Sequence, residues 1–421
     1  MDPVTHGIAG ALIGKAFFAK QPAPADQRVQ LQTRLNSHFG STARVAIFAA
    51  TLGAVFPDVD VFVDAFSHDP LAIVRYHRGF THSFIGLPIF AAALAWLTRL
   101  FFRRYASKHG HGSADWTPPS FALLFGIYAA GIASHILLDG LTDFGTRILN
   151  PFSKARVAWD FLFIIDFVFT ALLLVPQLAA WTHQRRDARQ KRAAAIWTFL
   201  TLIALGAWSL ARAAQFPFSF GAVIVASAIF AAVLFLPIQH GNGTQFSRAT
   251  WCRAGFALSC VYILAAGIAH HAAISRVRAF ASQQRITAQK IGAMPMPLSL
   301  LRWNGLILTR AGVYQSVFSL GGPAAQFKFW PGSPPNRFTQ EALMLEPVQT
   351  YLWYARFPVT YFSSAAGEYF VSYADLRYFT GDDRPMPFTF YVSFDSDGEM
   401  LKYGWVRAQD ALGAAPPANV P

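Results

Sequence analysis

Long apolar runs, each closed by a short polar or basic stretch, dominate the first two thirds of the chain. Crossing a hydrocarbon core of about 30 Å takes about 20 apolar residues in a helix. Runs of that length occupy residues 79–102, 119–141, 157–181, 193–213, 217–239 and 254–275. Two shorter runs precede them, at 4–18 and 43–56. Half-spans of this kind are tolerated where their ends are buried in protein or line a wet cavity. The pattern predicts an all-α polytopic membrane domain of six to eight apolar helices, the first two short.

After Ser275 the long runs stop, and Pro, polar residues and short alternating stretches replace them. Segments 305–309, 350–354, 369–373 and 388–394 are aromatic and β-branched, which predicts strands. Asp395-Ser396-Asp397-Gly398 supplies a hairpin turn. The expected organisation is a membrane domain over 1–275 and a small β-rich extracytoplasmic domain over 276–421, ending in a loose Ala/Pro-rich tail from Ala411.

Composition agrees with a membrane protein, at 54% hydrophobic and 14% charged residues. The formal net charge of +13 would point to nucleic acid if the basic residues made one folded patch. They fall instead in short loops: Arg99, Arg103, Arg104 and Lys108; Arg185, Arg186, Arg189, Lys191 and Arg192; Arg248 and Arg253. Such loops resist translocation, so those near 103–118, 182–192 and 240–253 are read as cytoplasmic, together with Lys20, Arg28, Arg34 and Arg44. The loops near 58–78 and 142–156, and the C-terminal domain, then face the other side. No nucleic-acid partner is expected; the bilayer is. Cys252 and Cys260 lie about 12 Å apart along one helix, too far to bridge, and read as packing residues. The N-terminus lacks a signal-peptide pattern, because His6 interrupts its apolar stretch.

Polar clusters at the ends of the apolar runs carry the chemistry. They are His6, Asp58 with Asp60, His77-Arg78-Gly79-Phe80-Thr81-His82-Ser83, and His135 with Asp139. A charge at the centre of a bilayer costs roughly 2.5–3.5 kcal/mol on insertion scales, so ionisable residues kept in membrane segments are functional candidates. The charge-derived topology, which makes no use of these clusters, brings all of them to the outer face. Neutral imidazoles and carboxylates are the ligands of zinc, manganese and iron centres. His135 and Asp139, one turn apart, share a helix face. Asp143 lies about 12 Å from His135 along the helix and is out of reach of the same ion. His77 and His82 would diverge on a regular helix, so a bend near Gly79 is expected to return His77 toward His82. Thr81 and Ser83 are placed to cap backbone donors or orient the imidazoles. Asp58 and Asp60 read as bridging or terminal ligands, with helix capping as the plainer alternative. Arg78 and Arg147 read either as clamps for a phosphate or as interfacial anchors. His68, His270 and His271 read as interfacial residues, and His109, His111, His183 and His240 as residues of the cytoplasmic side.

Asp2-x-x-Thr5-His6, Pro57-Asp58-x-Asp60, His77-Arg78-Gly79-x-Thr81-His82-Ser83 and His135-x-x-x-Asp139-x-x-Thr142-x-x-Gly145-Thr146 resemble the YdjM/YbcI-type membrane-bound metal-dependent hydrolases. The likeness covers about residues 1–180 and includes Trp159-Asp160 and Phe163-Ile164-Ile165-Asp166. It implies an inner-membrane protein of bacteria or archaea with His6, Asp58, Asp60, His77, His82, His135 and Asp139 as metal ligands. Asp143 ranks below these, and Asp160 and Asp166 are expected to orient imidazoles. The expected activity is metal-dependent hydrolysis of an ester or phosphoester, lipid or lipid-linked, at the outer membrane face. Asp58 or Asp60 would accept the proton and Arg78 would contact the substrate. Zinc is the expected metal, with manganese or iron as alternatives. The rival reading is a non-catalytic metal-binding sensor or structural protein; transport is disfavoured because the clusters sit at helix ends.

Overall fold

The computed structural model describes residues 1–19, 42–109, 119–183, 188–213, 218–236, 246–297, 300–378 and 388–406. The basic residues Lys20, Arg28, Arg34, Arg185 and Arg186, the histidines His111 and His240, and the tail from Ala411 lie outside the described residues.

Helix α1 (Pro3–Ile13) opens on Asp2, whose side chain accepts from the Thr5 amide, and widens into a π-helical turn at Gly14–Phe18. Helix α2 (Thr42–Val55) does not stop where the apolar run shortens. It tightens into a 3-10 turn, Phe56–Asp60, around Pro57 and continues as α3 (Val61–Phe66). The resulting segment, Thr42–Val63, is long and apolar enough to cross a membrane. Then come α4 (Ala72–Tyr76), a 3-10 turn at Phe80–His82, α5 (Gly86–His109), α6 (Phe121–Gly140), α7 (Phe167–His183), α8 (Arg189–Ala213), α9 (Phe220–Phe235) and α10 (Arg248–Gln283).

Among the described residues, five segments qualify as crossings: Thr42–Val63, Gly86–Tyr105, Phe121–Gly140, Arg189–Ala213 and Arg248–Gln283. The runs at 157–181 and 217–239, expected as full spans, yield shorter helices of 17 and 16 residues. Asp166 explains the first, because its carboxylate caps the Phe169 amide at 2.9 Å and starts α7 there. In the second, Ser219 caps one end, and Leu236, which precedes Pro237, is already extended at the other.

Three helices meet at unusually close range. A Cβ on Gly10 of α1 would lie 2.5 Å from the Ala50 carbonyl and 2.6 Å from the Ala54 methyl of α2. A Cβ on Gly131 of α6 would lie 2.6 Å from the same Ala50 carbonyl and 2.9 Å from the Ala54 nitrogen. Lipid-solvated helices have no hydrophobic drive toward one another, and small residues let backbones approach closely enough for dispersion to hold them.

The C-terminal region is built of two four-stranded antiparallel sheets. β1 (Lys290–Pro295), β2 (Arg302–Leu308), β3 (Gly312–Ser319) and β4 (Lys328–Pro331) form the first in sequential order. β5 (Pro358–Ala365), β6 (Glu368–Asp375), β7 (Phe390–Phe394) and β8 (Met400–Trp405) form the second. Helices α11 (Arg337–Met344) and α12 (Glu346–Tyr354) join them. The expected strand at 350–354 is therefore helix. Pro347 sits in the first turn of α12, and Val348, Tyr351 and Tyr354, spaced by three, are its buried face. β-propensity of the aromatics yields here to packing.

Helix α10 runs 36 residues, about 54 Å, past the expected end at Ser275. Its last turns bury Ala273, Val277 and Ala281 against Trp303, Ile307 and Phe318 of the first sheet. The second sheet and α12 dock on the end of the bundle that carries residues 56–82 and 141–166. Leu71 and Val74 share one apolar cluster with Tyr351, Tyr354 and Phe390. Arg356 makes two bonds to the Asp160 carboxylate, at 2.6 and 2.7 Å, and Arg75 makes two to Glu346.

Replacing Gly131 by Leu is expected to lower unfolding stability by about 1–3 kcal/mol or more through overpacking. Gly126→Leu in the same helix, where a Cβ meets nothing within 4 Å, should leave it nearly unchanged; thermal unfolding in detergent followed by circular dichroism reads both. Asp160→Asn should weaken the seam between the domains by about 2 kcal/mol, or about 30-fold faster amide exchange in α12 and β6, measured by hydrogen–deuterium exchange.

Candidate metal centre

The close approach of α1, α2 and α6 lies one helical turn from three of the site residues. His6 is four residues before Gly10, Asp58 four after Ala54, and His135 four after Gly131. His6 and His135 consequently stack, with ring centroids 3.6 Å apart and planes 17° from parallel. His135 and Asp139 project from the same face of α6, as their spacing predicts.

His77 and His82 reach the cluster by a bend, but the strained residue is Arg78, at φ +55°, rather than Gly79. Such a conformation costs a non-glycine residue of order 1–3 kcal/mol and persists where surrounding bonds fix it. Here the Arg78 amide donates to Asp60 at 3.0 Å and its carbonyl accepts from the Arg147 amide at 3.1 Å. The Arg147 guanidinium holds the carbonyls of Arg75 and Tyr76, at 2.6 and 3.2 Å. Ser83 caps the Gly86 amide, and Thr81 donates to Asp60 while lying 2.9 Å from His82 Nδ1.

The hydrogen bonds assign the tautomers. His135 Nδ1 donates to the Ala54 carbonyl at 2.6 Å, one of the carbonyls left open where α2 ends, so Nε2 carries the lone pair. His82 Nδ1 faces Asp60 at 3.2 Å, and its Nε2 lies 3.0 Å from His135 Nε2. Around these two nitrogens stand Asp139 Oδ2, at 3.2 and 3.4 Å, and Asp58 Oδ1, at 3.5 and 3.4 Å. Asp58, His82, His135 and Asp139 thus form one group of donors, and Asp58, Asp60 and His77 a second, with all donor atoms of each within 4.8 Å. Asp58 belongs to both.

These residues fit a divalent cation. Asp139 Oδ2 and His6 Nδ1 are buried without a hydrogen-bond partner, and two imidazole nitrogens face each other among carboxylates. Burial pushes His82 down, but Asp139, Asp58 and Asp60 outweigh it and raise it to about 10. The centre demands positive charge. His82, His135 and Asp139 are fully enclosed, whereas His77, Asp58 and Asp60 retain 14, 13 and 9% exposure. One side of the centre is closed and the other admits solvent.

Six of the seven expected ligands fall in these two groups; His6 lies outside both, stacked on His135 with its Nε2 3.2 Å from Asp139. Several neighbours depart from expectation. Arg78, expected to contact substrate, is buried, with Nη2 2.9 Å from Asp139 and Nη1 2.8 Å from Thr142 Oγ1. Its charge is committed to holding Asp139. Asp160 and Asp166, expected to orient imidazoles, pair with Arg356 and cap α7 with a bond from Tyr262. The backbone carbonyl of Asp143 accepts from Arg377 at 2.6 Å, apart from the donor groups. The Met1 amine also contacts Asp139. Sequence reasoning missed the Ala54 carbonyl and Phe144, whose ring lies 5.0 Å under the Arg78 guanidinium and 5.5 Å from His77. A backbone acceptor has no residue-type signal, and one aromatic among forty Phe has little.

No solved structure matches this chain. It is 23% identical over 182 residues to the uncharacterized protein YfhP of Bacillus subtilis (strain 168), a match covering 43% of this chain and 46% of that protein. The chain thus spans about half the length of that curated relative. Residues 1–216, which include every donor of the centre, match the YdjM inner membrane protein family, and this multi-pass membrane protein belongs to that family.

Proposed function

We propose that this protein is a metal-dependent hydrolase that cleaves an ester or phosphoester, drawn from the membrane, at the extracytoplasmic end of its helix bundle. The observation that carries this reading is the two-sided centre: an enclosed His82–His135–Asp139 side joined through Asp58 to a solvent-accessible His77–Asp60 side. A structural site would be closed on all sides, whereas catalysis requires an open position. Zinc, manganese or iron bound here would supply an activated water and polarise the bond to be broken.

The chain's own residues divide the remaining work. Asp60 accepts from His77 Nδ1, the Arg78 amide and Thr81, so its role is to orient His77 and His82. Asp58 has no comparable set of donors and faces the open side, which favours it as the carboxylate that takes a proton from water. Arg78 fixes Asp139 rather than the substrate. A membrane-derived substrate is supported by exposed apolar residues close in sequence to the ligands: Phe62 and Phe66 after Asp60, and Phe84 after His82. The charged-loop topology supports the extracytoplasmic placement.

Detergent-purified protein is expected to carry stoichiometric zinc, manganese or iron, and His82→Ala/His135→Ala to lose at least nine tenths of it, by elemental analysis. Equal trace metal in both after supplementation would overturn the metal reading. The metal-loaded protein should hydrolyse bis-p-nitrophenyl phosphate or phospholipid, with Asp58→Asn slower by about 10²–10⁴-fold in kcat. A fully loaded protein without turnover on esters and phosphoesters would leave the sensor reading.

A further inference from the structure

Docking of the C-terminal domain closes a second space, separate from the metal centre. It is a cavity of about 280 Å3 between the loop that follows α6 and the segment that ends α12. Arg156 and Phe144 line it from the membrane domain, and Lys290, Trp353, Tyr354 and Arg356 from the C-terminal domain.

Its charges do not balance. Arg356 is neutralised by Asp160. Arg156 has no carboxylate within 4 Å among the described residues; its guanidinium is caged by the rings of Phe144, Tyr354 and Trp353, at 4.7, 5.1 and 5.3 Å, and bonds only to carbonyls, the nearer being Gly145 at 3.1 Å. Its Nε is buried without a partner. Lys290 likewise has no carboxylate partner among the described residues, and its ammonium lies 5.7 Å from the Phe357 ring. Burial pushes both cations down, Arg156 to about 10. Arg156, half-buried without counter-charge, is costly unless an anion completes it, and Lys290, exposed at its strand end, brings a second unpaired cation to the same wall.

We propose that this cavity binds a phosphomonoester, with Arg156 and Lys290 holding the phosphate and Trp353 and Tyr354 flanking its substituent. A phosphomonoester carries about −1.5 to −2 charge at neutral pH, which matches the two unpaired cations. Its oxygens suit the guanidinium fork. The volume is just below the ~300–1,000 Å3 of drug-sized sites, so the occupant is a phosphate with a small head, either a soluble organic phosphate or the headgroup of an anionic lipid. The Phe144 ring packs on Arg156 at one end and on Arg78 and His77 at the other, so it is the wall between this cavity and the metal centre.

The test is binding by the full-length protein, read by tryptophan fluorescence and isothermal titration calorimetry. Glycerol 1-phosphate is titrated into protein in phosphatidylcholine nanodiscs, and phosphatidic acid is compared with phosphatidylcholine as the nanodisc lipid. All arms are repeated in the His82→Ala/His135→Ala background, where phosphate captured by a metal in the centre is lost but cavity binding persists. Lys290→Gln, at an exposed strand end, and Arg156→Lys, which keeps the caged charge, should each weaken binding at least tenfold. Saturable glycerol phosphate binding lost in these variants identifies a soluble ligand. Binding restricted to phosphatidic acid, with the same loss, identifies a lipid headgroup. Failure of both probes to bind, or affinities that the two variants leave unchanged, would overturn the proposal, whatever the metal content of the centre.

Discussion

The close contact of α1, α2 and α6 around the Ala50 carbonyl is the constraint on which the rest depends. Gly10, Ala50, Ala54 and Gly131 let three backbones touch where larger residues would hold them apart. One turn above, that spacing sets the distance between His6, Asp58 and His135. A side chain at either glycine would move a whole helix end, and with it a donor, by more than a metal centre tolerates. The apolar packing and the polar cluster are therefore one object. The Ala54 carbonyl makes the link literal, since a residue of the contact also fixes the His135 tautomer.

At the centre, the buried carboxylates are held by groups that other elements supply. Asp139 on α6 is held by Arg78 from the bend before α5, and Asp60 after α2 is held by His77, Thr81 and the Arg78 amide. An arginine in a left-handed conformation costs energy, and its amide bond to Asp60 and its guanidinium bond to Asp139 repay that cost at once. The strain is thus tied to the centre, where such outliers are commonly found. Arg147 serves the same purpose at one remove by holding the chain just before His77.

Much of this was legible in the sequence because local spacing governs it. His135 and Asp139 had to share a face, and hydropathy with charged loops brings the clusters to one end from the sequence alone. What escaped were features decided by tertiary contact. The run at 43–56 became a full-length segment because Pro57 tightened the helix instead of ending it. The aromatic stretch at 350–354 became helix because three residues at helical spacing meet an apolar surface. Asp160 looked like a partner for imidazoles and found an arginine nearly two hundred residues away, which no local pattern announces.

The length of α10 has a thermodynamic consequence. The helix leaves the bundle without interruption, packs into the first sheet, and is joined to β1 by residues 284–289 alone. The C-terminal domain is thus mounted on a stiff strut rather than hung from a flexible tether. Docking of its second sheet becomes an intramolecular event with little chain entropy left to lose. Under those terms, contacts that would be too weak to join two free proteins, such as the solvent-exposed pair of Arg75 and Glu346, suffice to keep the domain seated.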